Sequence, residues 1–218
     1  MAADTVSRPT DFAGTPLRGS PSCERNVEPV GRVLTDWSCG RRSLLEVGSG
    51  TGQHAAGLIG RMPGLVWQPT DVQPDSVTIG GWAHASGAPD RINEPLALDV
   101  TDDTQWQTLP AFDVCFTANT LHIMPIEAGV QLFAQAARYA MPDAVLLIYG
   151  PFHCDGEATS EGNARFDAAL RAEAQHMGIR DIEWARASAA RNDWLECAHY
   201  HMPANNQMLV FRLSPVVS

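Results

Sequence analysis

Leu44-Leu45-Glu46-Val47-Gly48-Ser49-Gly50-Thr51-Gly52-Gln53-His54 decides how the rest of the chain is read. Residues 43–47 form a short apolar run with the character of a buried strand, and 53–61 carry a helical spacing. Three glycines join them. A backbone that turns sharply and lets a ligand come close needs residues without a Cβ. The start of the following helix presents free N–H groups to an anion. The spacing is G-x-G-x-G, one residue tighter than the G-x-G-x-x-G of dinucleotide sites. No lysine follows the loop, which excludes a P-loop.

Outward from this unit, apolar runs alternate with helical patterns. Further strands are expected over 65–69, 95–100, 112–118 and 144–150, the last apolar throughout as a central parallel strand is. Helices are expected over 24–37, 75–86, 126–140, 163–177 and 181–191. Pro29 fits the first turn of the first of these, where its missing N–H costs little. Two final strands, 195–201 and 208–213, are joined by a turn over 203–207 that is too short for a crossover, so they pair antiparallel or lie apart. Alternating strands and helices specify a parallel sheet covered on both faces. The expectation is one α/β domain over 23–218: a seven-stranded, mostly parallel sheet ending in an antiparallel hairpin, with an N-terminal helical cover. Residues 1–22, rich in Pro, Gly, Ser and Thr without a period, read as a flexible N-terminal arm.

Polar residues fall where ligands bind in open α/β sheets, at the carboxyl ends of the strands. Glu46 precedes the first glycine by two residues. Asp71 lies 19 residues after Gly52 at the end of the second strand, Asp99 ends the third, and Asn119 follows the fourth. A carboxylate at Asp71 suits two ribose hydroxyls, although a helix N-cap is the plainer role. Asp99 has the same alternative, because Thr101-Asp102-Asp103 looks like a helix start.

E-x-G-x-G-x-G with a downstream acid resembles motifs I and II of class I S-adenosylmethionine-dependent methyltransferases, with their Rossmann-like sheet. The wider sequence is similar to a less characterised methyltransferase-like family. The resemblance is carried by Glu24-Arg25-Asn26 with Pro29, by the glycine stretch, by Trp67 to Asp71, and by Asn119 to Ile123. Tyr149-Gly150-Pro151-Phe152 and Met202-Pro203-Ala204-Asn205-Asn206 complete it. It spans about residues 23–213. One departure is Ile126, where the family pattern has Trp. The resemblance implies S-adenosylmethionine as cofactor and S-adenosylhomocysteine as product. It implies that Gly48, Gly50 and Gly52 receive the methionine part, with Ser49 and His54 beside them in the cofactor site; His54, one turn into the helix, reads equally as a cap, a packing residue or a catalytic group. Glu46 would face the ammonium group through water, Asp71 would hold the ribose, Asp99 and Val100 would meet the adenine, and Asn119 would line the methionyl side.

His122 is the candidate base, because an imidazole titrates near neutral pH; a structural hydrogen-bonding role is the alternative. Tyr149 carries a phenol to the end of the central strand, where it touches substrate or is an interior tyrosine. Arg25 and Asn26 form part of a polar trio before the first helix. They read either as a solvated helix start or as a lid whose Arg25 clamps a carboxylate. Asn205 reaches the substrate pocket or only shapes the last turn. Trp67 and Trp82 read as core or pocket wall.

Fifteen Lys and Arg against 25 Asp and Glu give a formal charge of −10. That argues against nucleic acid or an anionic membrane as the main partner, since both need a basic footprint. The longest apolar run, about seven residues around 144–149, is far from the roughly 20 a membrane span needs. Residues 1–22 contain no apolar h-region, so a secretory signal is not expected. Five widely spaced cysteines without a C-x-x-C pair suggest reduced thiols in a cytoplasmic protein and disfavour a metal site. The expected activity is in-line methyl transfer to a small-molecule acceptor, because the cofactor domain and its cover use nearly the whole chain. The rivals are a non-catalytic cofactor-binding protein, a protein methyltransferase and a nicotinamide-dependent reductase. Oligomeric state is not readable from the sequence.

Overall fold

The computed structural model describes residues 9, 10 and 14–214. Its strands are β1 (Ser43–Val47), β2 (Val66–Asp71), β3 (Leu96–Ala97), β4 (Phe112–Ala118), β5 (Ala140–Cys154), β6 (Glu157–Ala158), β7 (Arg180–Asp181), β8 (Trp194–Met202) and β9 (Asn206–Leu213). The helices are α1 (Pro21–Trp37), α2 (Gln53–Leu58), α3 (Ser76–Ala85), α4 (Asp103–Trp106), α5 (Ile126–Tyr139), α6 (Glu161–Glu173) and α7 (Ile182–Ala190).

The sheet runs β3-β2-β1-β4-β5-β9-β8. β1 to β5 are parallel, and β9 pairs antiparallel with both β5 and β8. The expected seven strands and terminal hairpin are therefore present. Two more, β6 and β7, pair with an extension of β5 beyond the main sheet. At two residues each they are too short to carry a period.

Apolar side chains fill both faces. Leu45 and Val47 join one core with Trp106 of α4, Leu132 and Phe133 of α5, and Ala185 of α7. Leu44, Trp67 and Phe116 join the other with Val30 and Leu34 of α1 and Leu58 of α2. Short polar side chains start the helices. Ser20 accepts from Cys23 N, Asp75 from Thr78 N and Ser160 from Asn163 N, satisfying donors that the first turn leaves free.

Several boundaries differ from expectation. α1 begins at Pro21, so Pro21 rather than Pro29 takes the N-terminal position and Pro29 lies inside the helix. The third strand shrinks to Leu96–Ala97, because this edge has a single neighbour and the chain turns at Asp99, whose carboxylate accepts from Thr101 N at 2.9 Å. The sixth helix spans Glu161–Glu173, capped by Ser160. The expected arm over 1–22 lies partly outside the described residues. Within them, Leu17 is buried, Trp82 Nε1 donates to the Arg18 carbonyl at 2.8 Å, and Ser20 N donates to Gln53 Oε1. Position 81 is glycine because a Cβ there would lie 2.6 Å from Leu17.

Candidate active site

The loop after β1 is tied to β2. Gly48 N and Ser49 N both donate to the Thr70 carbonyl, at 3.0 and 2.8 Å. Thr70 Oγ1 donates to the Glu46 carbonyl at 2.7 Å, and Thr70 N donates to Ser49 Oγ at 3.1 Å. Gly48 has φ +75°, and a Cβ on it would lie 2.7 Å from Thr120 Oγ1. A Cβ on Gly50 would meet nothing within 4 Å, so this glycine borders open space. Gly50 N donates to Asp71 Oδ2 at 2.9 Å.

That open space is a cavity of about 750 Å³ at the carboxyl ends of β1, β2 and β4. Of the residues expected to hold a cofactor, Gly48, Ser49, Gly50, His54, Asp71, Asp99, Val100 and Asn119 line it. Asn119 adopts φ +58° and donates its N–H to the Tyr149 carbonyl at 2.8 Å, which turns the chain sharply off β4. Three carboxylates, Asp71, Asp75 and Asp99, meet one arginine, Arg18, which is largely exposed and 3.9 Å from Asp75. Asp75 is held below the ordinary carboxylate range by the Thr78 hydroxyl and backbone N–H. The wall chemistry suits a cation.

Glu46 and Gly52 do not line the cavity. Gly52 is buried, and a Cβ there would lie 3.2 Å from Ile79 Cα. Glu46 is 1% exposed: Oε2 accepts from Trp67 Nε1 at 2.9 Å, and Oε1 lies 3.6 Å from His54 Nδ1. Burial opposes a charge on His54, but the Cys23 sulfur and the Glu46 carboxylate outweigh it and raise its pKa above 6.5. Trp67→Phe keeps an aromatic ring and deletes the N–H that Glu46 accepts. A loss of about 2 kcal/mol in urea denaturation is expected, because a buried carboxylate loses a partner; unchanged stability would show that the contact contributes nothing.

The substrate and base candidates lie apart from the cavity. His122 is buried, with its ring against Phe166 at 5.2 Å. Burial, with help from the Arg180 charge, pushes its pKa down to about 4. Arg180 itself donates to the carbonyls of Leu121 at 3.1 Å and Met124 at 2.6 Å, pinning the loop after β4. Between pH 4 and 6.5 the unfolded chain therefore binds a proton at His122 that the folded chain does not. Stability is expected to fall by about 3 kcal/mol as pH drops through this window. His54 has the opposite sign: its stabilisation is present below pH 6.5 and is lost as pH rises toward its raised pKa. A His122→Leu variant should flatten the acid side of a stability-versus-pH curve and leave the alkaline side in place.

Tyr149 is 1% exposed, its hydroxyl has no hydrogen-bond partner among the described residues, and burial raises its pKa to about 12. Asn26 is buried in α1, whereas Arg25 is exposed and makes no ion pair among the described residues. Asn205 is exposed in the β8–β9 turn with φ +56°, and its carbonyl accepts from Asn163 Nδ2 at 3.2 Å.

Sequence reasoning missed part of the wall. Ser20, Ser22 and Cys23 reach it from the start of α1, and Thr120, Ile123, Met124 and Ala128 from the chain after β4. The second group had a signal, since these residues follow Asn119 directly. The first had none, because α1 reaches the loop only through the fold.

A family model described as a protein of unknown function, DUF938, matches residues 18–213. The chain belongs to that family. The DUF938 chain also superimposes on solved methyltransferases. It is 18% identical to an O-methyltransferase family protein from Burkholderia thailandensis, with a TM-score of 0.77, covering 89% of this chain and 58% of that one. An O-methyltransferase family 2 protein from Planctomyces limnophilus in complex with apigenin gives 20% identity and a TM-score of 0.73, covering 88% and 59%. Human N-acetylserotonin methyltransferase in complex with SAM gives 13% and 0.68, covering 88% and 53%. At these identities the likeness is one of fold, and the DUF938 chain spans little more than half the length of each. Among the described residues no helix is long and apolar enough to cross a membrane, and no group of His, Cys, Asp and Glu could hold a metal ion.

Proposed function

We propose that this DUF938 protein is an S-adenosylmethionine-dependent methyltransferase acting on a small-molecule acceptor. The observation that carries the reading is the acidic cavity framed by the glycine loop, Asp71 and Asp99, on the fold that solved methyltransferases share. At about 750 Å³ it lies within the usual range for ligand sites, roughly 300–1,000 Å³, and leaves room for an acceptor beside a cofactor.

The donor set fits the group. Asp71 has Oδ1 without a hydrogen bond among the described residues, available to ribose hydroxyls. Leu98, Asp99 and Val100 offer an apolar wall with a polar edge for adenine, and Asn119 borders the methionyl side. Gly50 lets that part approach the backbone. Glu46 acts at one remove, by keeping His54 cationic.

When bound, the cofactor supplies a methyl group on a cationic sulfur that becomes neutral on transfer. The residues here hold the acceptor in line and exclude water, so most of the rate comes from positioning. His122 and Tyr149, buried and off the cavity, are not assigned a proton-transfer role. Arg25, exposed and also off the cavity, is not assigned a contact with the acceptor. The one imidazole on the cavity wall, His54, is kept protonated beside Cys23 and Glu46 and so takes up no proton, which favours one second reading, a protein that binds the cofactor without turnover.

Labelled-methyl transfer from S-adenosylmethionine to a small-molecule extract tests both. Label in a low-mass product supports the enzyme. Calorimetric binding without transfer to any fraction supports the binder. Folded protein that binds neither S-adenosylmethionine nor S-adenosylhomocysteine overturns both.

A further inference from the structure

Five cysteines are free, and one has distinct surroundings. Cys39, Cys154 and Cys197 are exposed, and Cys115 is fully buried, which pushes its thiol up to about 12. Cys23 is half-buried on the cavity wall, at the third position of the 17-residue helix α1. Its sulfur lies 3.7 Å from His54 Nδ1, which lies 3.6 Å from Glu46 Oε1. The Trp67 N–H holds the other carboxylate oxygen at 2.9 Å. His54 also lines the cavity, is 4% exposed, and has an Nε2 with no hydrogen-bond partner among the described residues. A helix N-terminus and a neighbouring cationic imidazole are two settings that make a thiol nucleophilic. Cys23 has both, on a wall that a small reagent can reach.

We propose that Cys23 is a modification site at which a low-molecular-weight disulfide captures the sulfur, so that the attached group fills the cavity framed by the glycine loop. The Cys23 sulfur attacks one sulfur of the reagent. A new S–S bond forms as the old one breaks, and the departing half leaves as a thiolate. Cys23 has given up its proton to solvent and the departing thiolate takes one from solvent, so Cys23 is oxidised and the leaving half is reduced. A cationic disulfide suits the carboxylates of the wall best. The thiol chemistry stands without the methyltransferase reading; only its effect on cofactor binding rests on it.

The test treats the full chain with cystamine and follows each cysteine by mass spectrometry. Cys23 is expected to form its mixed disulfide about tenfold faster than Cys39, Cys154 and Cys197 in the same molecule. His54→Gln should bring Cys23 down to their rate. Modified protein should lose S-adenosylhomocysteine binding and regain it with dithiothreitol. A Cys23 rate no higher than that of the exposed thiols overturns the proposal, and this ranking in the parent protein decides even if the variant does not fold. Modified protein that still binds overturns the cavity-filling part. Unmodified protein that does not bind overturns the methyltransferase reading and leaves the thiol ranking as it stands.

Discussion

Asp71→Ala is expected to weaken S-adenosylhomocysteine binding by about 100-fold or more in a calorimetric titration, because two charge-assisted hydrogen bonds are worth about 3 kcal/mol or more together. One Asp71 oxygen holds Gly50 N at 2.9 Å and the other is uncommitted among the described residues. Alanine removes both the proposed ribose acceptor and the tie on the loop. Asp71→Asn separates these roles. Its amide oxygen can still accept from Gly50, while an N–H₂ replaces the second oxygen, so an intermediate loss of about tenfold is expected. Full affinity in Asp71→Ala would mean that the ribose is held elsewhere.

Gly48→Ala should cost about 3 kcal/mol of stability in urea denaturation. A left-handed conformation costs a residue with a Cβ about 1–2 kcal/mol, and φ at this position is +75°. The added carbon would also lie 2.7 Å from Thr120 Oγ1 and 2.8 Å from Thr120 Cγ2, an overpacking of about 1–3 kcal/mol. Thr120→Ala in the same chain removes the second contribution and leaves the first, so about half the loss should return. Gly50→Ala, with φ +54° and nothing within 4 Å, should show the backbone cost alone. Equal losses at Gly48 and Gly50 would show that the Thr120 contact is unimportant.

The strands of the central sheet were legible because parallel strands buried on both faces read as apolar runs, as 144–150 does. β3 was legible in place but not in length, because its length depends on pairing with β2, which sequence does not display. The period of two along β1 also places Glu46. Leu45 and Val47 face one core and Leu44 the other, so Glu46 belongs on the Leu44 side, with Trp67 and Phe116. That placement turns its carboxylate toward Trp67 and His54 instead of the cavity. The glycine loop and the acids after β2 and β3 converge on one space, as strand order alone implies. Leu17, Ser20 and Cys23 could not be placed in advance, since what brings them there is a notch at Gly81 and a side chain at Gln53. Tyr149 lies inside β5, which runs on to Cys154, and His122 lies in the loop after β4; neither the length of β5 nor the burial of the two side chains shows in the sequence.

The ties between the Thr70 peptide and the loop after β1 have an entropic consequence. Thr70 gives its carbonyl, its N–H and its hydroxyl to segment 46–49, so this turn has its final shape before a guest arrives. Restricting a backbone residue costs about 1–2 kcal/mol in lost freedom, and folding has already met that cost for the cradle. Association then has to immobilise the guest and little else at this edge, so even a fragment that touches only the loop finds a surface ready to receive it.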